Sequence, residues 1–215
     1  MVPPSKIIGR RFGVVDVGTN SVLCLIAEQV SSTHFDVLED WATITRIGEG
    51  ISKSHKLKKT AINRTLKAVI NFIDQCRRFN VDELFVIGTS ALRQAENSDV
   101  FRDALRKKRK VEIEIISGTR EAELSFIAVS NEFPHLQDKF IVMDIGGGST
   151  EFIFGSPDDL CTTDLGSVRL TEKYLKSDPP NPKEMEALNE HVREAVKNTF
   201  KLHPKAQTIN RSKAH

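Results

Sequence analysis

No apolar run among the 215 residues approaches the ~20 needed to cross a bilayer, which excludes an integral membrane protein. Charge of one sign is also lacking. Against 31 Lys and Arg stand 29 Asp and Glu, a net charge of +2, whereas a dedicated nucleic-acid binder carries a basic surplus. Cysteine is scarce: Cys24, Cys76 and Cys161 are odd in number and far apart, matching neither a disulfide framework nor a zinc spacing. They read as small buried hydrophobes in a reducing cytosol. The six histidines form no HxH or HxxxH pair, which argues against a metal site built on imidazole. Residues 1–10 hold Pro3, Pro4, Lys6 and Arg10 and no long apolar stretch, so they do not read as a secretory signal. These absences predict a cytoplasmic protein with neither membrane nor nucleic acid as partner.

What is present is a globular composition, 39% hydrophobic and 28% charged, long enough for one large domain or two small ones. Phe12 to Val17, Val22 to Ala27 and Phe35 to Ile44 are β-rich runs joined by short polar turns, the pattern of an antiparallel meander. Between Leu57 and Phe79 the period changes. Ile62, Leu66, Val69, Ile73 and Cys76 fall on one helical face. Leu84 to Ile87 is a continuous apolar run, which predicts a strand buried on both faces. A helix capped by Asn97 or Ser98 runs to about Lys108. The alternating strand Val111 to Ile116 follows it, then a helix from about Arg120 to Asn131. A meander followed by strand–helix units outlines a ribonuclease-H-like α/β domain.

After Pro134 the opening repeats: an apolar strand, Phe140 to Met143, ends at Asp144, and glycines lead to a second strand at Phe152 to Phe154. Asp16 and Asp144 are one domain length apart, so the chain reads as a duplication whose second copy is incomplete. A short strand near Leu160 to Thr163 and a helix from Gly166 or Ser167 follow. The last helix, Pro182 to Leu202, should bury Met185, Leu188, Val192, Val196 and Phe200. The expected division is a tail at 1–10, a complete first domain at 11–134, a partial second domain at 135–202 and a fraying tail at 203–215. The basic run Arg106 to Lys110 reads as a solvated helix end, with a nuclear signal or a phosphate patch as alternatives.

Two stretches carry chemistry. In Asp144-Ile145-Gly146-Gly147-Gly148-Ser149-Thr150-Glu151 the glycines leave a turn without Cβ atoms, whose N–H groups can converge on an anion. Ser149 and Thr150 add hydroxyl donors. Asp144 and Glu151 offer hard oxygen ligands suited to Mg²⁺. Asp16 to Ser21 follows the same logic with one glycine and three small polar side chains. Paired Asp-Gly turns are a pattern of the actin-like ATPase and sugar kinase superfamily.

Four segments in order narrow this further: D-V-G-T-N-S-V (16–22), G-T-S-A-L-R-Q-A-E-N (88–97), I-S-G-T-R-E-A-E-L-S-F (116–126) and D-I-G-G-G-S-T-E (144–151). Over residues 11–175 the sequence resembles the exopolyphosphatase and guanosine pentaphosphate phosphohydrolase (Ppx/GppA) family, and D-L-G-S-V-R-L (164–170) resembles that family's next segment. The resemblance implies a duplicated actin-like ATPase fold. It also implies a Mg²⁺-assisted phosphohydrolase acting on polyphosphate or guanosine pentaphosphate, and a possible homodimer. In that reading Glu121 positions or deprotonates the attacking water. Asn20, Ser21, Arg93, Gly146, Gly147, Gly148, Ser149 and Thr150 hold phosphate, and Asp144, Glu151 and Asp16 hold the metal. Asn97 matches the same motif as Arg93 and is equally a helix cap. The family's second domain continues beyond the helix at 182–202, and residues 205–215 look unlike any of its strands. A truncated or frame-shifted product, or a reduced family member, is therefore expected, with an apolar sheet face and an edge left open. Alternatives are a non-catalytic phosphate-ligand binder and, more weakly, a kinase of the same fold.

Overall fold

The computed structural model describes residues 8–135, 140–156 and 158–202, in two compact units that divide between Ile116 and Ser117. In the first unit, β1 (Arg11–Val17), β2 (Ser21–Gln29) and β3 (Phe35–Ile44) form the meander. Helices α1 (Ile51–Ser54) and α2 (Lys59–Arg78) follow, then β4 (Glu83–Gly88), α3 (Ser90–Gln94), α4 (Ser98–Arg109) and β5 (Glu114–Ile115). The sheet order is β3-β2-β1-β4-β5, with β4 parallel to β1 and β5 parallel to β4, the topology expected of a ribonuclease-H-like unit. Residues 9 and 10, expected as tail, prolong the β1–β2 pairing through Gly9 N–H to the Gln29 carbonyl (2.7 Å) and Gln29 N–H to the Arg10 carbonyl (2.8 Å). The rest of both expected tails, 1–7 and 203–215, lies outside the described residues.

Alternation along the strands decides what is buried. Val15, Val17, Val22, Cys24, Ile26 and Val86 face the α2 stripe and Phe101 and Leu105 of α4, forming the main core. Trp41 of β3 closes this core, stacked on Phe72 with ring centroids 6.2 Å apart. Cys24 and Cys76, remote in sequence, meet there with their Sγ atoms 3.8 Å apart, both as free thiols; Cys161, expected to be buried, is half-exposed. β4 corrects its sequence reading: Val86 is buried but Phe85 is 47% exposed, because the helices cover one face of this sheet. β5 is shorter than the alternating run implied. It pairs with Ile87 and Gly88 alone, while Ile113 turns into the core before the strand begins.

The second unit starts with α5 (Gly118–Glu132), which sequence order had assigned to the first domain. It packs Ala122, Phe126 and Val129 against Val142, Ile153 and Leu160, so the boundary falls before this helix and not at Pro134. Strands β6 (Ile141–Ile145), β7 (Thr150–Phe154) and β8 (Leu160–Thr163) form an antiparallel sheet in that order. α6 (Ser167–Tyr174) and α7 (Pro182–Leu202) complete the unit. α7 covers the other face of the sheet, Phe200 packing edge-on to Phe154 at 5.6 Å with Val196 beside it. The open apolar face expected here is therefore reduced to Met143 and Ile145, 55% and 60% exposed. Of the predicted α7 stripe, Met185 is exposed and the other four residues are half-buried.

Candidate active site

The two hairpin turns are built alike. Gly18 N–H donates to the Ser21 carbonyl at 3.0 Å, and Gly146 N–H donates to the Ser149 carbonyl at 2.9 Å, at the same offset that separates Asp16 from Asp144. In each turn a later segment takes up the carbonyls. The Thr19 and Asn20 carbonyls accept from Gly48, Thr45 and Arg46; those of Gly146 and Gly147 accept from Ser167, Val168 and Arg169. With the oxygens drawn to one side, the N–H groups of Gly147 and Gly148 take no hydrogen bond among the described residues. That is the arrangement a backbone anion nest requires.

D-L-G-S-V-R-L is the brace for this turn. Arg169 Nε donates to the Gly148 carbonyl at 2.9 Å, and its guanidinium pairs with Asp164 at 3.2 Å. A Cβ on Gly166 would lie 2.3 Å from the Gly148 carbonyl carbon, so only glycine admits this approach. Thr150, expected on phosphate, is buried and gives its hydroxyl proton to the Leu165 carbonyl, a structural bond across the same brace. Sequence reasoning gave no individual role to Gly166 and Arg169, which it quoted only within D-L-G-S-V-R-L, or to Thr19, which it counted only among the small polar residues of the first turn. Beside the first turn, Thr19 Oγ1 and Thr45 Oγ1 are buried without a hydrogen-bond partner among the described residues. The run of small polar residues after Asp16 was the available signal.

The carboxylates separate by unit. Asp144 and Glu151 are direct partners across β6 and β7, so their side chains share the face that α5 covers. Glu151 is 1% exposed. The corresponding partner of Asp16 in β2 is Leu23, so the first turn has no second carboxylate. Ser117 caps α5 by accepting from Arg120 N–H at 3.1 Å, and Glu121 stands in its first turn, half-buried. One turn further along the same helix face, Ser125 donates to Asp144 Oδ2 at 2.6 Å. Gly118 brings the helix start against Thr162, the β8 partner of Glu151; a Cβ there would be 2.6 Å from the Thr162 hydroxyl. Glu121, Asp144, Glu151 and the triple-glycine turn thus belong to one compact unit, and Asn20, Ser21, Asp16 and Arg93 to the other.

Among the described residues no three His, Cys, Asp or Glu side chains close on one point. The pair Asp144 and Glu151 nevertheless fits Mg²⁺, which takes one or two protein carboxylates and fills its octahedron with water and phosphate oxygens. Arg93, in the last turn of α3, donates from Nη1 to the Ile116 carbonyl at 2.8 Å. Asn97 is not a side-chain cap: its amide bonds both backbone groups of Leu57, accepting from N–H at 2.8 Å and donating to the carbonyl at 3.1 Å.

Known proteins resemble this chain in sequence and fold. A model of the Ppx/GppA phosphatase family matches residues 25–213. Exopolyphosphatase 2 of Mycobacterium tuberculosis is 33% identical over 204 residues, covering 90% of this chain and 64% of that protein. A bifunctional 3-dehydroquinate synthase/phosphatase of Fusobacterium nucleatum is 35% identical over 75% of this chain and 26% of its own length. The crystal structure of an exopolyphosphatase from Cytophaga hutchinsonii superposes with a TM-score of 0.82 at 29% identity, over 90% of this chain and 62% of that one. The ethanolamine utilization protein EutJ from Carboxydothermus hydrogenoformans, at 13% identity and a TM-score of 0.50, shares the fold alone, over 93% of this chain and 76% of that one. The chain thus spans a little under two thirds of these two exopolyphosphatases, and its fold is the actin-like ATPase type. Joined to the repeated turns and the braced glycine loop, these matches establish that the chain belongs to the Ppx/GppA phosphatase family.

Proposed function

We propose that this chain carries the reacting groups of a phosphohydrolase that removes the terminal phosphate of inorganic polyphosphate by attack of water. The observation that carries the reading is the common frame of acid and anion turn. Glu121 stands one helical turn from the Ser125 that holds Asp144, and Asp144 leads directly into the Gly146–Gly148 turn with its uncommitted N–H groups. Phosphoryl transfer asks a protein mainly to orient the nucleophile and to neutralise charge. The N–H groups of Gly147 and Gly148, with Ser149 beside them, hold the terminal phosphate. Glu121 orients the water and accepts its proton. Asp144 and Glu151 would hold Mg²⁺, which supplies further charge neutralisation. Asn20 and Ser21 form a second phosphate-accepting turn of the same build, and Arg93 adds a guanidinium donor.

Polyphosphate is preferred over guanosine pentaphosphate because the similar relatives from Mycobacterium and Cytophaga are named exopolyphosphatases. Glu121→Gln should lower phosphate release from polyphosphate by about 10²–10⁴-fold, with polyphosphate binding retained. Equal release by both proteins removes Glu121 from the reaction. Absence of release by the unmodified chain overturns the hydrolase reading, and faster release from guanosine pentaphosphate reverses the substrate preference.

A further inference from the structure

In the first unit, positive charge gathers at the end of the sheet opposite the Gly18–Ser21 turn, where α2 and α4 end side by side. Arg109 forms a two-point pair with Asp74 (3.0 and 2.8 Å), and Arg77 bonds the Arg109 carbonyl at 3.0 Å, which ties the two helix ends together. Arg106 is matched by Glu112, Nη2 to Oε2 at 2.8 Å. These pairs engage Asp74 and Glu112, and Asp103 lies 3.4 Å from Arg106. Arg78, Lys107, Lys108 and Lys110 remain exposed with no ion-pair partner among the described residues. The field is felt by its neighbours: the Asp74 carboxyl is held below its usual range by its bond to Arg109, and Arg77 and Arg78 add to the effect. Bases near a helix C-terminus complement the macrodipole, but two adjoining helix ends do not require four further cations in a chain whose net charge is +2.

The position is set by topology. Both helices end at the pole where β1 and β4 begin: Arg11 Nη1 bonds the Phe79 carbonyl at 3.0 Å, and Arg11 N–H bonds Asp82 at 2.7 Å. The Gly18–Ser21 turn is at the other end of β1, a strand of 7 residues, hence about 20 Å away at ~3.3 Å per residue. A triphosphate cannot touch both. Phe79, the aromatic residue just after α2, packs edge-on to Trp41 at 6.0 Å and so offers the patch no open ring face for a nucleobase.

We infer that the cations at the joined ends of α2 and α4 form a second polyanion site that binds the distal part of a long polyphosphate chain while its terminus is held elsewhere. The ligand's identity rests on the function proposed above, whereas the site itself rests on the charge arrangement. The test is the triple variant Lys107→Glu/Lys108→Glu/Lys110→Glu, titrated with long-chain polyphosphate and with triphosphate at several salt concentrations. Affinity for the long chain should fall at least tenfold at low salt and its dependence on salt should flatten; affinity for triphosphate should stay as in the unmodified chain. Neutralising Lys→Gln changes should give an intermediate loss. Unchanged long-chain binding overturns the site, as does equal loss of long and short ligands. Duplex DNA displacing polyphosphate at equal concentration overturns the choice of ligand. Should the patch hold long chains in a protein that releases no phosphate, the site stands and the hydrolase reading fails.

Discussion

At the residue scale, one carboxylate at a helix start and one backbone turn carry the proposed chemistry. Three consecutive glycines after an Asp-tipped strand mark a tight turn with backbone N–H groups to spare wherever the strands sit, and an acid three positions past Gly118 falls in the first turn of a helix. Side chains whose partners come from far along the chain were not legible. Asn97 reads as a cap from its neighbours, but its amide closes on Leu57, 40 positions away. Asn97→Ala leaves two part-buried backbone groups without their partner, so a loss of about 1–3 kcal/mol in urea unfolding is expected; an unchanged midpoint would show that the Leu57 bonds add nothing to stability. Gly166 looks like any helix-start glycine, yet it lies against the backbone of Gly147 and Gly148. Its φ of −113° suits any residue, so Gly166→Ala acts through volume alone. The added methyl must push the glycine turn aside, which should cost at least tenfold in affinity for triphosphate with little change in helix content by circular dichroism. Retained affinity would mean that the turn relaxes without losing its N–H geometry.

Elements were legible from period, but their allegiance was not. α2 and α7 announce themselves by 3.6-residue spacing, and both cover the sheet their position suggests. α5 is equally clear as a helix, and nothing in its own sequence says that Ala122 and Phe126 pack on strands that come after it. The run Leu84 to Ile87 shows the converse limit: continuous apolarity predicts two covered faces, and the fold supplies helices for one. Where α2 crosses β1, the close approach has a specific cause. Gly13 faces Cys76, and a Cβ there would be 2.7 Å from the Cys76 sulfur. Gly13→Ala should destabilise the first unit by about 1–3 kcal/mol through overpacking, and the double variant Gly13→Ala/Cys76→Ala should recover most of the loss. Thermal unfolding of the three proteins checks this, and a double variant no better than the single one would place the strain elsewhere.

For the whole molecule, the duplication gives each unit a counterpart for comparison. The pair Val14 and Leu25 across β1 and β2 corresponds to Val142 and Ile153 across β6 and β7, at the offset that relates the two turns. In the second unit α5 covers this face, leaving Val142 7% and Ile153 0% exposed. In the first unit the same face is open: Leu25 is 38% exposed, and Leu23 and Phe85 lie beside it, exposed as well. A row of large apolar side chains across three central strands is more than scattered surface hydrophobicity, and such patches promote association. If the face is open in solution, Leu25→Ser/Phe85→Ser should change stability by no more than about 1 kcal/mol, since surface substitutions stay near ±0.5 kcal/mol each. The same variant should bind less of an apolar fluorescent dye and remain dispersed at concentrations where the unmodified chain associates. A loss of about 2 kcal/mol or more per site, the cost of emptying a core position, would show instead that the face is covered in solution. A concentration-dependent melting temperature in the unmodified chain alone would then identify the cover as a second copy.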